Sequence, residues 1–211
     1  MSSPTDTGTR GKGWGLAIAA CVGLWLVQSG SGELDPPVPS AAEAFTAGPG
    51  RYAPAAAEPM PPSAPVRVRV PRIGVDAPVI RLGLAADGSL EVPPAGDRNL
   101  AGWYGGGTPP GARGTAIMAG HVDDDEGPAV FYALGALKKG DRVEVTRLDG
   151  RTAVFAVDAV EVYDNDDFPD EKVYGRSDRA ELRVITCGGG FSPKTGYQGN
   201  VVVYAHLVGA R

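Results

Sequence analysis

Residues 142–163 read RVEVTRLDGRTAVFAVDAVEVY, and this stretch decides the fold class. Its first half sets Val143 and Val145 between polar neighbours, the period of a half-buried strand. Leu148-Asp149-Gly150-Arg151 then interrupts the alternation before a second β-rich run over 152–163. An Asp-Gly pair between two alternating runs is a hairpin signal. Working outward, Val66-Arg67-Val68-Arg69-Val70 alternates strictly, and further strands are expected over 77–82, 115–120, 181–186 and 200–207. Turn pairs such as Asp87-Gly88 separate them, and 129–137 is the best helical stretch. Residues 66–211 therefore predict one closed all-β domain with one or two short helices, long enough to bury a core.

The chain upstream has a different composition. Residues 29–65 are rich in Pro, Ala, Gly and Ser and poor in branched aliphatics, so they are expected to form a disordered or semi-extended linker. Residues 1–28 hold the uncharged run WGLAIAACVGLWLV, from Trp14 to Val27, behind Arg10 and Lys12. The run is shorter than the ~20 residues that cross ~30 Å of hydrocarbon, but flanking residues extend it, and the preceding positive charge orients its start to the cytoplasm. It is read as a signal-anchor helix that makes the protein single-pass in the cell membrane with an extracytoplasmic domain. A cleaved signal peptide and a lipoprotein modified at Cys21 are the alternatives. The formal net charge of -5 over 211 residues gives no basic field for nucleic acid.

Chemistry points to a lone thiol. Of the two cysteines, Cys21 lies in the apolar run, leaving Cys187 unpaired in an exported domain. Cys187 follows the strand ELRVIT and opens the glycine loop Cys187-Gly188-Gly189-Gly190, and His121 follows TAIMAG and opens a polar loop. Both sit at strand ends, where a rigid scaffold presents side chains to a cleft. An imidazole can take a thiol's proton or lower its pKa, and glycines can aim N–H groups at a developing oxyanion. On residue types alone, a core cysteine and a loop histidine fit equally well.

Five motifs in order separate these readings. They are Val70-Pro71-Arg72-Ile73-Gly74-Val75, Ala101-Gly102-Trp103-Tyr104, Gly120-His121-Val122-Asp123, Leu182-Arg183-Val184-Ile185-Thr186-Cys187, and Thr195-Gly196-Tyr197 leading into Asn200-Val201-Val202-Val203-Tyr204-Ala205. Together they resemble the sortase family, and within it the actinobacterial group called class F. The resemblance implies an eight-stranded β-barrel and a cysteine transpeptidase in which Cys187 is the nucleophile and His121 its acid/base partner. It also implies a Leu-Pro-any-Thr-Gly-like sorting signal as substrate, a thioacyl intermediate, and an amine acceptor on peptidoglycan or a pilin. Thr186 and Gly188, flanking the thiol, are the candidates for oxyanion and substrate contacts.

One position departs from the family pattern. The family's arginine on the last strand aligns with Asn200, whose amide can donate a hydrogen bond but carries no charge. Asn200 is the expected substitute, and Arg183 the alternative third catalytic residue because it shares a strand face with Cys187. No cofactor or metal is expected: the acidic loops 123–126 and 164–167 lack the spacing of a calcium loop. His206 reads as an edge or core histidine, and Trp103 and Tyr104 as either groove lining or core. Another Cys/His acyltransferase or peptidase of the envelope, such as an L,D-transpeptidase, and a non-catalytic sortase-fold binding module are the rival functions.

Overall fold

The structure is a computed structural model that describes residues 35–48, 50 and 54–211. The expected anchor helix and Cys21 lie outside the described residues. Among the described residues no helix is long and apolar enough to cross a membrane.

Eight strands close into a barrel: β1 (Pro65–Val70), β2 (Val75–Leu82), β3 (Ala101–Tyr104), β4 (Gly114–Ala119), β7 (Arg142–Arg147), β8 (Thr152–Asp164), β9 (Ala180–Ser192) and β10 (Gly196–Ala210). Around the barrel the order is β1-β2-β3-β4-β9-β10-β8-β7, with β7 pairing back to β1. Strands β5 (Asp123–Asp124) and β6 (Gly127–Pro128) form a separate small hairpin. The hairpin read from 142–163 is β7–β8, with Thr146 opposite Thr152. The contacts β2–β3 and β4–β9 are parallel. Parallel neighbours need crossover connections, and these long connections are where the barrel carries its functional loops.

The barrel interior is apolar, with Val68, Met118, Phe155, Leu182, Val184, Val203 and Leu207 all buried. On β9 the even positions 182 and 184 face inward, so the odd positions face out. A second apolar cluster covers that outer face, where Ile117, Ile185, Val202 and Tyr204 meet Val173. Val173 belongs to α1 (Asp170–Tyr174), which lies in the β8–β9 connection.

Three expectations need correction. Residues 129–137 form turns and a 3-10 helix at Leu134–Ala136, and the α-helix is α1 instead. Strand β3 was not among the expected strands; it is only four residues long and includes Gly102, too short to show a period. The described part of the Pro-rich linker is not a spacer but lies on the barrel. Met60 is buried, its N–H donates to the Gly111 carbonyl at 2.8 Å, and Ala57 N–H donates to Leu207 O at 2.8 Å. The fully buried Arg147 donates to Met60 Sδ at 3.0 Å, to the Pro61 carbonyl, and to Asp149 at 2.8 Å. Upstream, Lys139 Nζ donates to the carbonyls of Ala44 and Gly48, and its N–H to Glu43 at 2.8 Å. A Cβ at Gly135 would come within 1.9 Å of the Pro37 carbonyl, so glycine permits the approach. Composition correctly denies this segment a core of its own, but the barrel supplies both apolar surface and polar partners.

Candidate active site

Register along three neighbouring strands assembles the site. In the parallel β4–β9 ladder Ala119 pairs with Ile185. His121 and Cys187 each follow two residues later, at equal offset past the paired ends. Two bonds hold these ends together: Gly120 N–H to Ile185 O at 3.2 Å, and Thr186 Oγ1 to Gly120 O at 2.9 Å. On the other side of β9, Cys187 pairs with Asn200 of β10, and Asn200 pairs with Tyr163 of β8. Neighbouring strands lie ~4.8 Å apart and paired residues share a face, so Cys187, Asn200 and Tyr163 form one row across the outer face, and His121 follows two residues past the end of β4 on the other side of β9. Strand β4 stops at Ala119 while β9 continues to Ser192, which leaves the edge of β9 past Ile185 without a strand neighbour on that side.

The glycines after the thiol do not form a loop, as the sequence suggested. They are part of β9: Gly188 pairs with Gly199 and Phe191 with Tyr197, so Gly189 and Gly190 together oppose Gln198. This is a β-bulge, and both glycines take left-handed φ values of 77° and 97°. Bulges re-aim side chains beside active sites, and a residue with a Cβ would be strained at either position.

Electrostatics at Cys187 are unhelpful to a resting thiolate. The side chain is solvent-accessible, yet the protein packed about it pushes the thiol pKa up, and the negative charge of Asp123 adds to the rise. Tyr197 donates its hydroxyl to Asp123. Burial first, and that bond second, hold the phenol well above its ordinary range, so it remains protonated. His121 Nε2 lies 2.7 Å from the Pro93 carbonyl. A carbonyl oxygen only accepts, so Nε2 donates this bond, and in the neutral ring the lone pair is on Nδ1. Arg98 ties the same region down through Asp124 at 2.8 Å and Glu126 at 2.9 Å. Those two carboxylates thus serve an arginine, and among the described residues no group of acidic, His and Cys side chains is arranged for a metal ion.

The remaining sequence candidates fall in different places. Asn200 Nδ2 donates to Asn165 Oδ1 at 3.0 Å, beside the thiol's strand position. Gly188 sits directly after the thiol, opposite Gly199. Thr186 is buried on the inward face, and its hydroxyl donates to the Gly120 carbonyl, which ties two strands. Arg183 lies elsewhere. It does share the face of Cys187, but four residues away, about 13 Å along the strand. There it is buried, paired with Glu181 at 2.6 Å and stacked 4.5 Å from the Tyr204 ring. His206 is buried between Asp158 at 2.7 Å and the Pro54 carbonyl at 2.9 Å, remote from the thiol.

Asp123, Tyr197, Pro93 and Asn165 are site residues to which the sequence reading gave no role. Asp123 and Tyr197 stand inside the quoted motifs, which was the available signal. Pro93 and Asn165 come from loops distant in sequence and leave no such trace.

A groove of about 870 Å³ opens farther along the same outer face. Ile117 forms part of its floor, with Leu84, Leu90 and Tyr104 on one side and Asp170 and Tyr174 of α1 on the other. Ile117 lies on β4 four residues before His121, level with Arg183 of β9. Of the two aromatic candidates, Trp103 is core and Tyr104 lines this groove.

Comparisons with known proteins bear on the family and the fold. The Sortase domain family model matches residues 68–208, well over half of the chain. No curated protein matches significantly. Among solved structures, sortase A of Listeria monocytogenes is 22% identical with a TM-score of 0.52, over 70% of this chain and 90% of that one. The SrtA sortase of Actinomyces oris is 20% identical with a TM-score of 0.53, over 77% and 90%. A lid mutant of Corynebacterium diphtheriae sortase A is 20% identical with a TM-score of 0.52, over 71% and 73%. At these identities the structural likeness speaks for the shared barrel.

Proposed function

The chain belongs to the sortase family of cysteine transpeptidases, and from that premise we propose that Cys187, His121 and Asn200 are its reacting set. The observation that carries this reading is the pairing of Cys187 with Asn200 on β9 and β10, with His121 two residues past the Ala119–Ile185 pair of β4 and β9. A Leu-Pro-any-Thr-Gly-like peptide lies in the groove with its Thr carbonyl at Cys187. Because burial and Asp123 disfavour a resting thiolate, proton transfer accompanies attack. The thiol proton passes to Nδ1 of His121 as sulfur bonds to the carbonyl carbon. Collapse of the tetrahedral intermediate breaks the Thr–Gly bond, and the imidazolium returns the proton to the departing amine. This leaves a thioester on Cys187. The acceptor amine, on peptidoglycan or a pilin, attacks that thioester, His121 takes its proton, and the thiolate leaves and is reprotonated.

Negative charge on the former carbonyl oxygen needs donors. An amide nitrogen carries two hydrogens, so the bond from Asn200 to Asn165 orients the group and leaves one hydrogen for the oxyanion. Backbone N–H groups at Gly188 and along the unpaired edge of β9 supply the others. Arg183 has no part in this reading, because its charge is spent on Glu181 too far along the strand. The five motifs support a class F-like assignment, and the apolar run 14–27 supports a membrane anchor that would hold the domain outside the cytoplasm. Mass spectrometry of the protein incubated with Leu-Pro-any-Thr-Gly peptides tests the reading. A thioester of the peptide fragment on Cys187, released by an added amine, is expected. Absence of any acyl adduct across a peptide library would overturn it.

A further inference from the structure

Helix α1 walls the groove, yet at five residues it cannot hold its own position. Its placement must come from contacts. Val173 anchors it to the outer apolar cluster, and Thr115 Oγ1 donates to the Gly175 carbonyl at 2.7 Å just past its end. The third contact is on the side away from the groove. There the ammonium of Lys172 lies 5.1 Å from the Phe45 ring, 5.3 Å from Tyr163 and 5.6 Å from Tyr204. Phe45 itself stacks edge-on against Tyr204 at 4.9 Å. Glu161 closes the box: its Oε1 accepts the Phe45 N–H at 2.9 Å and lies 3.8 Å from Lys172 Nζ.

Two of these rings belong to the barrel, but Phe45 belongs to the segment upstream of it. That segment is independently fastened to the barrel through Lys139 and Gly135. Neighbouring residues of α1 divide the labour, with Asp170 and Tyr174 facing the groove and Lys172 facing the upstream segment. We infer that Lys172 is a positioning residue for substrate binding, and that Phe45 completes an aromatic box around it which braces the groove wall from behind. The inference rests on the groove being the sorting-signal site. In this arrangement the segment next to the barrel is a component of substrate affinity rather than a passive tether. Cation–π attraction holds α1 against the sheet without occupying the groove.

The test uses the full chain with Phe45→Ala, Lys172→Ala and Lys172→Arg. Hydrogen exchange of the amides over 170–175 should quicken about tenfold in both alanine variants, as a local opening becomes easier. KM for a Leu-Pro-any-Thr-Gly peptide should rise about fivefold, the scale of one lost cation–π contact, with kcat held within about twofold. Lys172→Arg should stay near wild type in both measurements, since guanidinium also stacks on aromatic faces. Unchanged exchange in α1, an arginine variant as impaired as the alanine one, or a fall in kcat at constant KM would each overturn the brace. If wild-type protein makes no thioester with the peptide, the functional reading fails while the exchange measurement still decides the brace.

Discussion

Arg183 and Cys187 stand on the same face of β9, four residues apart, in opposite surroundings. Arg183 is buried, with Glu181 and the Tyr204 ring taking up its charge, and Glu181 is shared with Arg179 at 2.7 Å. Cys187 is exposed beside a bulge, at an edge of β9 that β4 does not reach, and the nearby charge that bears on it is the wrong sign for a thiolate. A buried charge held by an ion pair and a ring is structural, because moving it costs those contacts, even though the Nε of Arg183 has no hydrogen-bond partner among the described residues. A group left short of partners is free to take new ones from a substrate. The strand is thus divided along one face into a closed end and a reactive end.

The largest test of that division is Cys187→Ala, which should abolish acyl-enzyme formation as read by mass spectrometry. Turnover within about tenfold of wild type would end the covalent mechanism. His121→Ala should slow acylation by ~10²-fold or more and remove the bell shape of the pH–rate profile. A normal profile in that variant would make His121 structural.

Next comes the direct contrast between the two ends. Asn200→Ala should lower kcat by ~10²-fold with little change in KM, as for other lost oxyanion donors. Arg183→Ala should instead cost about 2 kcal/mol of stability in a denaturant titration, less than the ~3–5 for orphaning a buried charge, because Arg179 remains on Glu181. The reverse ranking would show that the closed end is the catalytic one.

Two smaller effects sharpen the picture through pH. Asp123→Asn removes a negative charge beside the thiol, so the pH dependence of Cys187 alkylation should move to lower pH. An unmoved profile would assign the raised pKa to burial alone. His206 is a second closed site: Asp158 raises its pKa foremost, against the effect of burial. Both ring nitrogens face acceptors, which suits the imidazolium. A raised folded pKa means that its stabilisation is full below the unfolded value of about 6.5 and is lost as pH rises through the folded pKa. The Tm difference between wild type and His206→Gln should therefore shrink as pH is raised above about 6.5.

Local sequence determined a good deal of this protein. Alternation gave β7 and the end of β1 from Val68 to Val70, because side chains on a strand point to opposite faces with period two, while Val66 is exposed at a register shift. The Thr-Cys and Gly-His junctions singled out Cys187 and His121, the nucleophile and partner proposed above, through motifs whose residues are contiguous. Parity along β9 even placed Arg183 on the face of Cys187. What parity lacks is a partner list, so only the tertiary structure separated the paired arginine from the open thiol. The bulge at Gly189 and Gly190 was invisible because it depends on the register of β10. The 129–137 stretch had helical composition, but turn contacts and burial against the barrel shortened it to a 3-10 turn. The upstream segment is the plainest case. Its own composition offers nothing to fold around, and only the barrel's Arg147, Lys139 and Tyr204 give Met60, Ala44 and Phe45 a place to bind. Short-range pattern encodes strands and motifs. The partners of a charge, the register of a bulge and the docking of a linker arise from residues far apart in the chain, and only the closed barrel brings them together.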